Sequence, residues 1–571
     1  MSFVKSIIHI VCSCLFLSSC ICYSQSKFNW DDADRIKFWK GNDAYSSLQQ
    51  KVDRNVSIIN ALVDKFGIDV INRSPDFIDC VSQLYWAKFF VIPYWKSFQT
   101  NDEFNKDSII KLSVLKRVPE LITKYSHVKD NETGVLSILL DLQNDNNKNF
   151  NDFINLAIAV SLVWDVEFPQ NWPHQNVKHA DLPTAGMTPL KLFNFFVDSQ
   201  RKGKLLTDLR RLTVRELCFV VDSPIEVNEH LYAQQVKIKS VQDFDKLYKL
   251  IPYDQNRINN NIYEWPYGKY SLIEIGSKRG GICMDQSYFA SQISKSKGLP
   301  SILFMGQGGS GIHAWVGIFS GERGWNLKIG KWNSEKYPIG LSLNPQTWEQ
   351  TTNSEMQFNL KSSGDSPATS RGKSLLAWAL LNKGSDRFIA LLGNSSRVMP
   401  RNIEPWNIEY DWIKENKSDL KTIGRFWSRW ITNFKENKGL KARGQISLLS
   451  IFNELGMKDE ARSLSRRIIS ENKTGRFDLG IAVMMNEIVS LQKQSKWESA
   501  EIKFKQALND FGRTANNGHL FYNLVKPYID NCLFYKQREL ASNAKQLSLE
   551  YINSLPGTIL DNDVKNLFDS L

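Results

Sequence analysis

Between Phe28 and about Ala180, apolar residues recur three and four positions apart, as in Val56-Ile59-Leu62-Val63-Phe66 and Val114-Leu115-Val118-Leu121-Ile122. That spacing is one face of an α-helix, and it predicts an all-helical N-terminal domain over residues 27–184. The stretch 172–189 carries three prolines and loses the period, which reads as a linker or a loop draped over the next unit. His174 and His179 lie in it five residues apart. Two helical zinc ligands would sit four apart, so both read as solvated loop histidines.

The segment 185–360 has a mixed pattern. Helical stretches around 190–211 and 243–251 are followed by a helix beginning near Cys283. Three short apolar runs, 301–305, 313–319 and 325–330, then read as strands. The order is that of an α+β domain. Residues 361–373 are polar and turn-rich, a linker, and 374–571 is helical again. Three stretches there look alike: Gly456-Met457-Lys458-Asp459-Glu460-Ala461, Ser495-Lys496-Trp497-Glu498-Ser499-Ala500 and Lys536-Gln537-Arg538-Glu539-Leu540-Ala541. Their alanines are 39 and 41 apart, the period of stacked helical hairpins in which a small residue lets the second helix pack closely. They resemble tetratricopeptide-type repeats loosely. An earlier pair around 375–392, with Gly384 as its turn, is expected to open the array, which offers a surface for a protein partner.

Composition narrows the class. With 571 residues, 42% of them hydrophobic, the chain is globular and large enough for three or four domains. The net charge of +12 is spread without a run of five basic residues, so no nucleic-acid partner is expected. Residues 1–24 read as a signal segment: Lys5, then an apolar stretch from Ile7 to Leu17 too short to span a bilayer. Leu17-Ser18-Ser19-Cys20 resembles the bacterial lipobox, which would anchor the protein to a membrane through lipid on Cys20; ordinary cleavage after Ser24 is the alternative. Either way the chain is exported, to the periplasm or the outer surface. Outside this segment only Cys80, Cys218, Cys283 and Cys532 remain, far apart, with neither a disulfide framework nor paired metal-ligand spacing. No metal and no cofactor are expected.

A free, reactive cysteine fits that inventory. Gly280-Gly281-Ile282-Cys283-Met284-Asp285-Gln286 precedes a helix that Gly298 and Pro300 end. A cysteine in the first turn meets unpaired N–H groups and the positive end of the helix dipole, which favour a thiolate. Thirty residues on, Gly311-Ile312-His313-Ala314-Trp315-Val316-Gly317 starts a strand whose alternation sets His313 and Trp315 opposite the aliphatic Ala314, Val316 and Ile318. His313 could take the thiol proton, giving a thiolate–imidazolium pair. Asp285 and Gln286 sit beside the nucleophile, where helix-start charge and surface polarity explain them as well as a site role does.

With Gly-Gly-Ile-Cys and His-Ala-Trp-Val in this order and distance, roughly residues 205–350 resemble the transglutaminase-like superfamily of papain-type cysteine enzymes, in an uncharacterised exported bacterial branch. The resemblance implies a transglutaminase-like core, Cys283 as nucleophile and His313 as base. It also implies acyl transfer on protein or peptide amides, by hydrolysis or exchange with an amine, and hence a cysteine protease or acyltransferase. It further implies an acidic third member on the 325–330 strand, where this chain has Lys328. Lysine cannot accept the imidazole N–H, so Asn326, on the same face, is expected to fill the role. The alternative is a non-catalytic scaffold with a relict core whose helical repeats bind a partner. For the oxyanion, the Cys283 N–H is the expected donor, with Gln307 or Trp265 as candidates for a second. Gly306-Gln307-Gly308-Gly309-Ser310-Gly311 satisfies G-x-G-x-x-G but opens a strand rather than a helix, so it reads as a flexible loop beside the cleft and not a dinucleotide site.

Overall fold

The computed structural model describes residues 45–571 except 69–74, 98–131, 184–185, 239–240, 309–310, 322–323, 332–338, 363–366 and 474. The signal segment with Cys20 and the 114–122 helix face lie outside the described residues. The chain is mostly helical, with one small five-stranded antiparallel sheet in its middle and helices at both ends. Two compact units form, each from two stretches: 1–151 with 364–409, and 152–363 with 410–571. Both are therefore discontinuous, whereas the pattern along the chain suggests consecutive domains.

The first unit contains helices Tyr45–Phe66, Pro75–Trp86, Glu132–Asp145, Pro367–Leu381 and Phe388–Val398. The apolar stripe on Tyr45–Phe66 buries Val52 and Ile59. The polar stretch 361–373 is largely helical, since one helix runs to Ser362 and the next begins at Pro367. The helical pair around Gly384 belongs to this unit. Asn60 Nδ2 donates to Asn382 Oδ1 at 2.8 Å, Lys88 Nζ donates to the Leu381 carbonyl at 3.1 Å, and Arg387 forks onto Asp64.

The sheet lies in the second unit, in the order β3-β2-β1-β4-β5: β1 Ser301–Gly308, β2 Gly311–Phe319, β3 Trp325–Ile329, β4 Ile339–Leu343 and β5 Gln350–Thr352. The three expected strands are present. β5 is too short and polar to leave a hydrophobic signature, and it pairs with β4 rather than extending the core. The β1–β2 register runs from Ser301↔Ile318 to Gly308↔Gly311. Ala314, Val316 and Ile318 join one buried cluster, with Cys283, and Trp315 joins another with Phe304, as strand alternation requires. Helix α1, Cys283–Ser296, packs on the first of these faces, and every one of its residues is buried. Its serines tolerate this because Ser287, Ser294 and Ser296 donate to carbonyls one turn back, at 2.7, 2.7 and 2.8 Å. Lys295 is paired with Asp222; burial pushes Asp222 up to about 6 and pulls Lys295 down.

In the C-terminal stretch the three similar sequences start α2 (Lys458–Asn472), α3 (Trp497–Phe511) and α4 (Arg538–Ser548). Ala461, Ala500 and Ala541 are buried in the first turn of each. Five residues before each alanine the backbone is left-handed: Gly456 at φ 71°, Ser495 at 58° and Lys536 at 60°. The three hairpins therefore share a turn that only Gly456 adopts without strain. Helix α5, Ile559–Asp569, brings the array against the sheet. A Cβ on Gly311 would lie 2.9 Å from the Leu560 nitrogen, and Gly311 itself has φ 120°. Gln255 Nε2 donates to the Gly557 carbonyl at 3.0 Å, and Asn562 Nδ2 to the Ile258 carbonyl at 3.2 Å.

The shared turn makes a reciprocal stability prediction. Nothing lies within 4 Å of a Cβ on Gly456, so Gly456→Ala meets only backbone strain and is expected to destabilise by about 1 kcal/mol. Ser495→Gly removes that strain and should be neutral or stabilising by up to about 1 kcal/mol, offset in part by unfolded-chain entropy. Urea denaturation reads both; a loss of stability in Ser495→Gly would contradict the strain argument.

Candidate active site

The start of α1 is held by a carboxylate. Asp285 is 1% exposed, and its Oδ2 accepts from the Ile282 backbone N–H at 2.9 Å and from Arg257 Nη1 at 2.7 Å. Arg257 is buried too, with Nη2 spent on the carbonyls of Tyr263 and Glu264. Asp285 Oδ1 accepts from the Tyr270 hydroxyl at 3.1 Å, and His174 Nε2 lies 3.0 Å from the same hydroxyl. The Asn176 N–H points at His174 Nδ1, at 3.2 Å, so Nδ1 carries the lone pair and Nε2 the proton. Protons thus run His174 to Tyr270 to Asp285. Burial, then the Arg257 charge, lowers His174 to about 3, which keeps it neutral. Burial raises Asp285 against the pull of Arg257 and its two other donors.

Of the readings open for Asp285, the helix-start role holds, in a buried clamp and not as surface polarity. One expectation is corrected: His174 is buried rather than solvated, although His179 is exposed. The two glycines before Cys283 follow from the same packing. Gly280 has φ 84°, and a Cβ there would lie 2.9 Å from the Pro252 carbonyl; a Cβ on Gly281 would meet that of Asp285 at 2.6 Å. The glycine segment runs beside residues 252–254, with Gly281 N donating to Pro252 O at 2.9 Å and Asp254 N to Gly281 O at 3.0 Å.

Tyr248 ties this helix start to the histidine strand. Its hydroxyl lies 2.9 Å from the Ala314 carbonyl and 3.5 Å from the Cys283 carbonyl, so the backbones of the cysteine and of the residue after His313 meet on one group. His313 is 1% exposed, with its ring 6.5 Å from Tyr248 and 6.2 Å from Trp315. His313 Nε2 donates to the Gly330 carbonyl at 2.9 Å, a bond that fixes the proton on Nε2 and leaves Nδ1 as the basic nitrogen. Burial lowers His313 to about 4, with the Gly330 bond opposing and the Lys331 charge adding to the shift. Burial thus favours the neutral imidazole near pH 7. Gly330 is held at φ 89°, and a Cβ there would strike the Tyr248 ring at 2.4 Å.

Asn326 is not brought to His313. It pairs with Ile318, five residues along β2 and therefore roughly 16 Å away at the rise of a strand, and its Oδ1 accepts from the Lys328 N–H at 3.2 Å. The acceptor expected from Asn326 is supplied by the Gly330 backbone, which has no residue signature to read. Lys328 is exposed, and the lysine whose field reaches His313 is Lys331, with Nζ 5.2 Å from the Trp315 ring centre. Gln307 is engaged by Asn523. Trp265 is 3% exposed, and its buried indole N–H has no hydrogen-bond partner among the described residues. Cys80, Cys218, Cys283 and Cys532 are all buried thiols.

Beside these residues opens a cleft of about 870 Å³. Gln286, one turn after Cys283, lines it together with Tyr248 and Gly330, which touch the cysteine and histidine segments, while Cys283 and His313 themselves are not among the lining residues. Asn326 and Lys328 line one side, and Leu555, Gly557, Thr558 and Ile559 line another. No group of three or more His, Cys, Asp or Glu among the described residues could hold a metal, and no described helix is long and apolar enough to cross a membrane. No protein-family model, curated protein or solved structure matches the chain.

The clamp makes a graded prediction. Asp285→Ala leaves the Arg257 charge buried without its partner and is expected to cost about 3–5 kcal/mol. Tyr270→Phe removes one neutral donor and should cost about 1 kcal/mol. Equal losses for the two variants in urea denaturation would mean that the ion pair does not dominate.

Proposed function

We propose that the protein is an exported, cysteine-dependent acyl-transfer enzyme of the transglutaminase-like type, acting on protein or peptide amides. The observation that carries this reading is the His313 Nε2–H bond to the Gly330 carbonyl, which orients a neutral imidazole with Nδ1 as base. Cys283 in the first turn of α1 and the Tyr248 hydroxyl between the two segments support it. In the reaction the thiol proton passes to His313 Nδ1 as sulfur bonds to the amide carbonyl carbon. The developing oxyanion is met by the Cys283 backbone N–H. The C–N bond then breaks, and the imidazolium returns its proton to the leaving amine. Water or a second amine attacks the thioester, giving its proton to His313; the C–S bond breaks, the acid or new amide leaves, and the imidazolium returns the proton to the sulfur.

Burial of Cys283, at 3% exposed, favours the rival reading: a scaffold with a relict core and helical hairpins, similar to tetratricopeptide-type repeats, that bind a partner. Iodoacetamide alkylation of Cys283, followed by peptide mapping across pH, separates the two. The enzyme reading expects Cys283 to react faster than a simple thiol near pH 7 and to slow by about 10²-fold in His313→Ala. Asn326→Ala should leave the rate unchanged. Since His313 is neutral above about 4, its contribution should persist down to mildly acid pH and vanish as the pH falls through 4. A Cys283 that does not react in the native fold supports the scaffold.

The proposed export rests on residues 1–24 and the proposed anchor on Leu17-Ser18-Ser19-Cys20. Mass spectrometry of the mature protein should find lipid on an N-terminal Cys20, and Cys20→Ser should release it from the membrane fraction. A mature chain starting at Gln25 refutes the anchor.

A further inference from the structure

The cleft has a charge as well as a shape. Lys249, Lys328 and Lys331 line it from two sides, and no aspartate or glutamate is among the residues that do. Lys249 and Lys328 are exposed, and neither forms an ion pair among the described residues. Two cations held this way in the mouth of a concave site attract anions, and low-dielectric walls focus the field into the cleft. The remaining polar lining combines the amides of Gln255, Gln286 and Asn326 with the hydroxyls of Tyr248, Tyr253 and Thr558. Amides offer both donors and acceptors, the equipment for pairing with a peptide backbone rather than with phosphate alone. The apolar side chains between them would take the aliphatic parts of a chain. About 870 Å³ suits a few residues of an extended segment rather than a folded surface.

We propose that the acyl donor is an acidic peptide segment, with aspartates or glutamates flanking the reactive amide and meeting Lys249, Lys328 and Lys331. This rests on the acyl-transfer reading of Cys283 and His313. It also gives Lys328 a role that a third catalytic member would not: the residue that displaces an expected acid selects the charge of the substrate. Each exposed pair is worth roughly 1.5- to 5-fold in affinity, so selectivity comes from the set and weakens with salt.

The test uses the full-length chain as Cys283→Ala, with short fluorescent peptides carrying a central glutamine flanked by glutamates, serines or lysines. Anisotropy at low salt should rank them glutamate over serine over lysine. In Lys249→Glu/Lys328→Glu the glutamate peptide should weaken by about tenfold or more and the order should reverse. Both positions are exposed, and an unchanged thermal melt confirms the fold. Equal binding of the three peptides, or a charge reversal without effect, overturns the proposal. So does an oligonucleotide that binds as tightly as the glutamate peptide, since the cleft would then be a general polyanion site. On the wild-type chain the glutamate peptide should also slow alkylation of Cys283. Binding without protection means that the basic cleft is not the acyl site. If Cys283 is unreactive while charge-ordered binding persists, the substrate assignment falls through the chemistry and not through the cleft.

Discussion

A carboxylate buried at a helix start is tolerable only when each of its oxygens is satisfied, and Asp285 meets that condition from three directions. Much of the site follows from it. The Ile282 N–H bond sets where α1 begins and so where Cys283 sits. Arg257 draws the loop 257–264 under the helix by binding its carbonyls. Tyr270 and His174 complete the shell and hold residues 172–174 in the interior. The glycines at 280 and 281 are needed because a side chain at 281 would occupy the place of Asp285 itself. The position of Cys283 is thus set by charge bonding behind it.

What could be read along the chain was what depends on period and punctuation. The helix from Cys283 and the strands near 301, 313 and 325 were legible, because glycine, proline and alternating apolar residues mark them locally. The alanine period of the last helices was legible for the same reason. Arg257 and Asp285 are 28 residues apart and Tyr248 and Ala314 are 66 apart, with no pattern that links either pair. The burial of His174 is hidden for a similar reason: prolines mark an irregular backbone but do not say whether it is covered. The two-stretch make-up of each compact unit was invisible too, since hydrophobic period says that a helix has a buried face and not which helix covers it.

The third-member question illustrates a wider limit. A sequence points to a side chain for the role of imidazole acceptor, because side chains are all that distinguishes its positions. The Gly330 carbonyl fills it, and the detectable trace is the glycine, whose left-handed backbone and missing Cβ let Tyr248 pack against it. A carbonyl carries no net charge, so it orients the ring without stabilising an imidazolium as an acid would. Burial is what keeps the histidine neutral, and the Gly330 bond offsets it only in part.

The wall formed by residues 555–559 gives the molecule an order of assembly. Gln255 and Gly557 touch across 302 residues of chain, whereas Cys283 and its helix are local structures. Contacts so distant in sequence form late, because their loop-closure entropy must be met before they contribute. A chain that emerges from its N-terminus therefore carries its thiol long before the cleft around it is closed. During that interval Cys283 lacks the wall that the last helices set beside its helix in the finished fold.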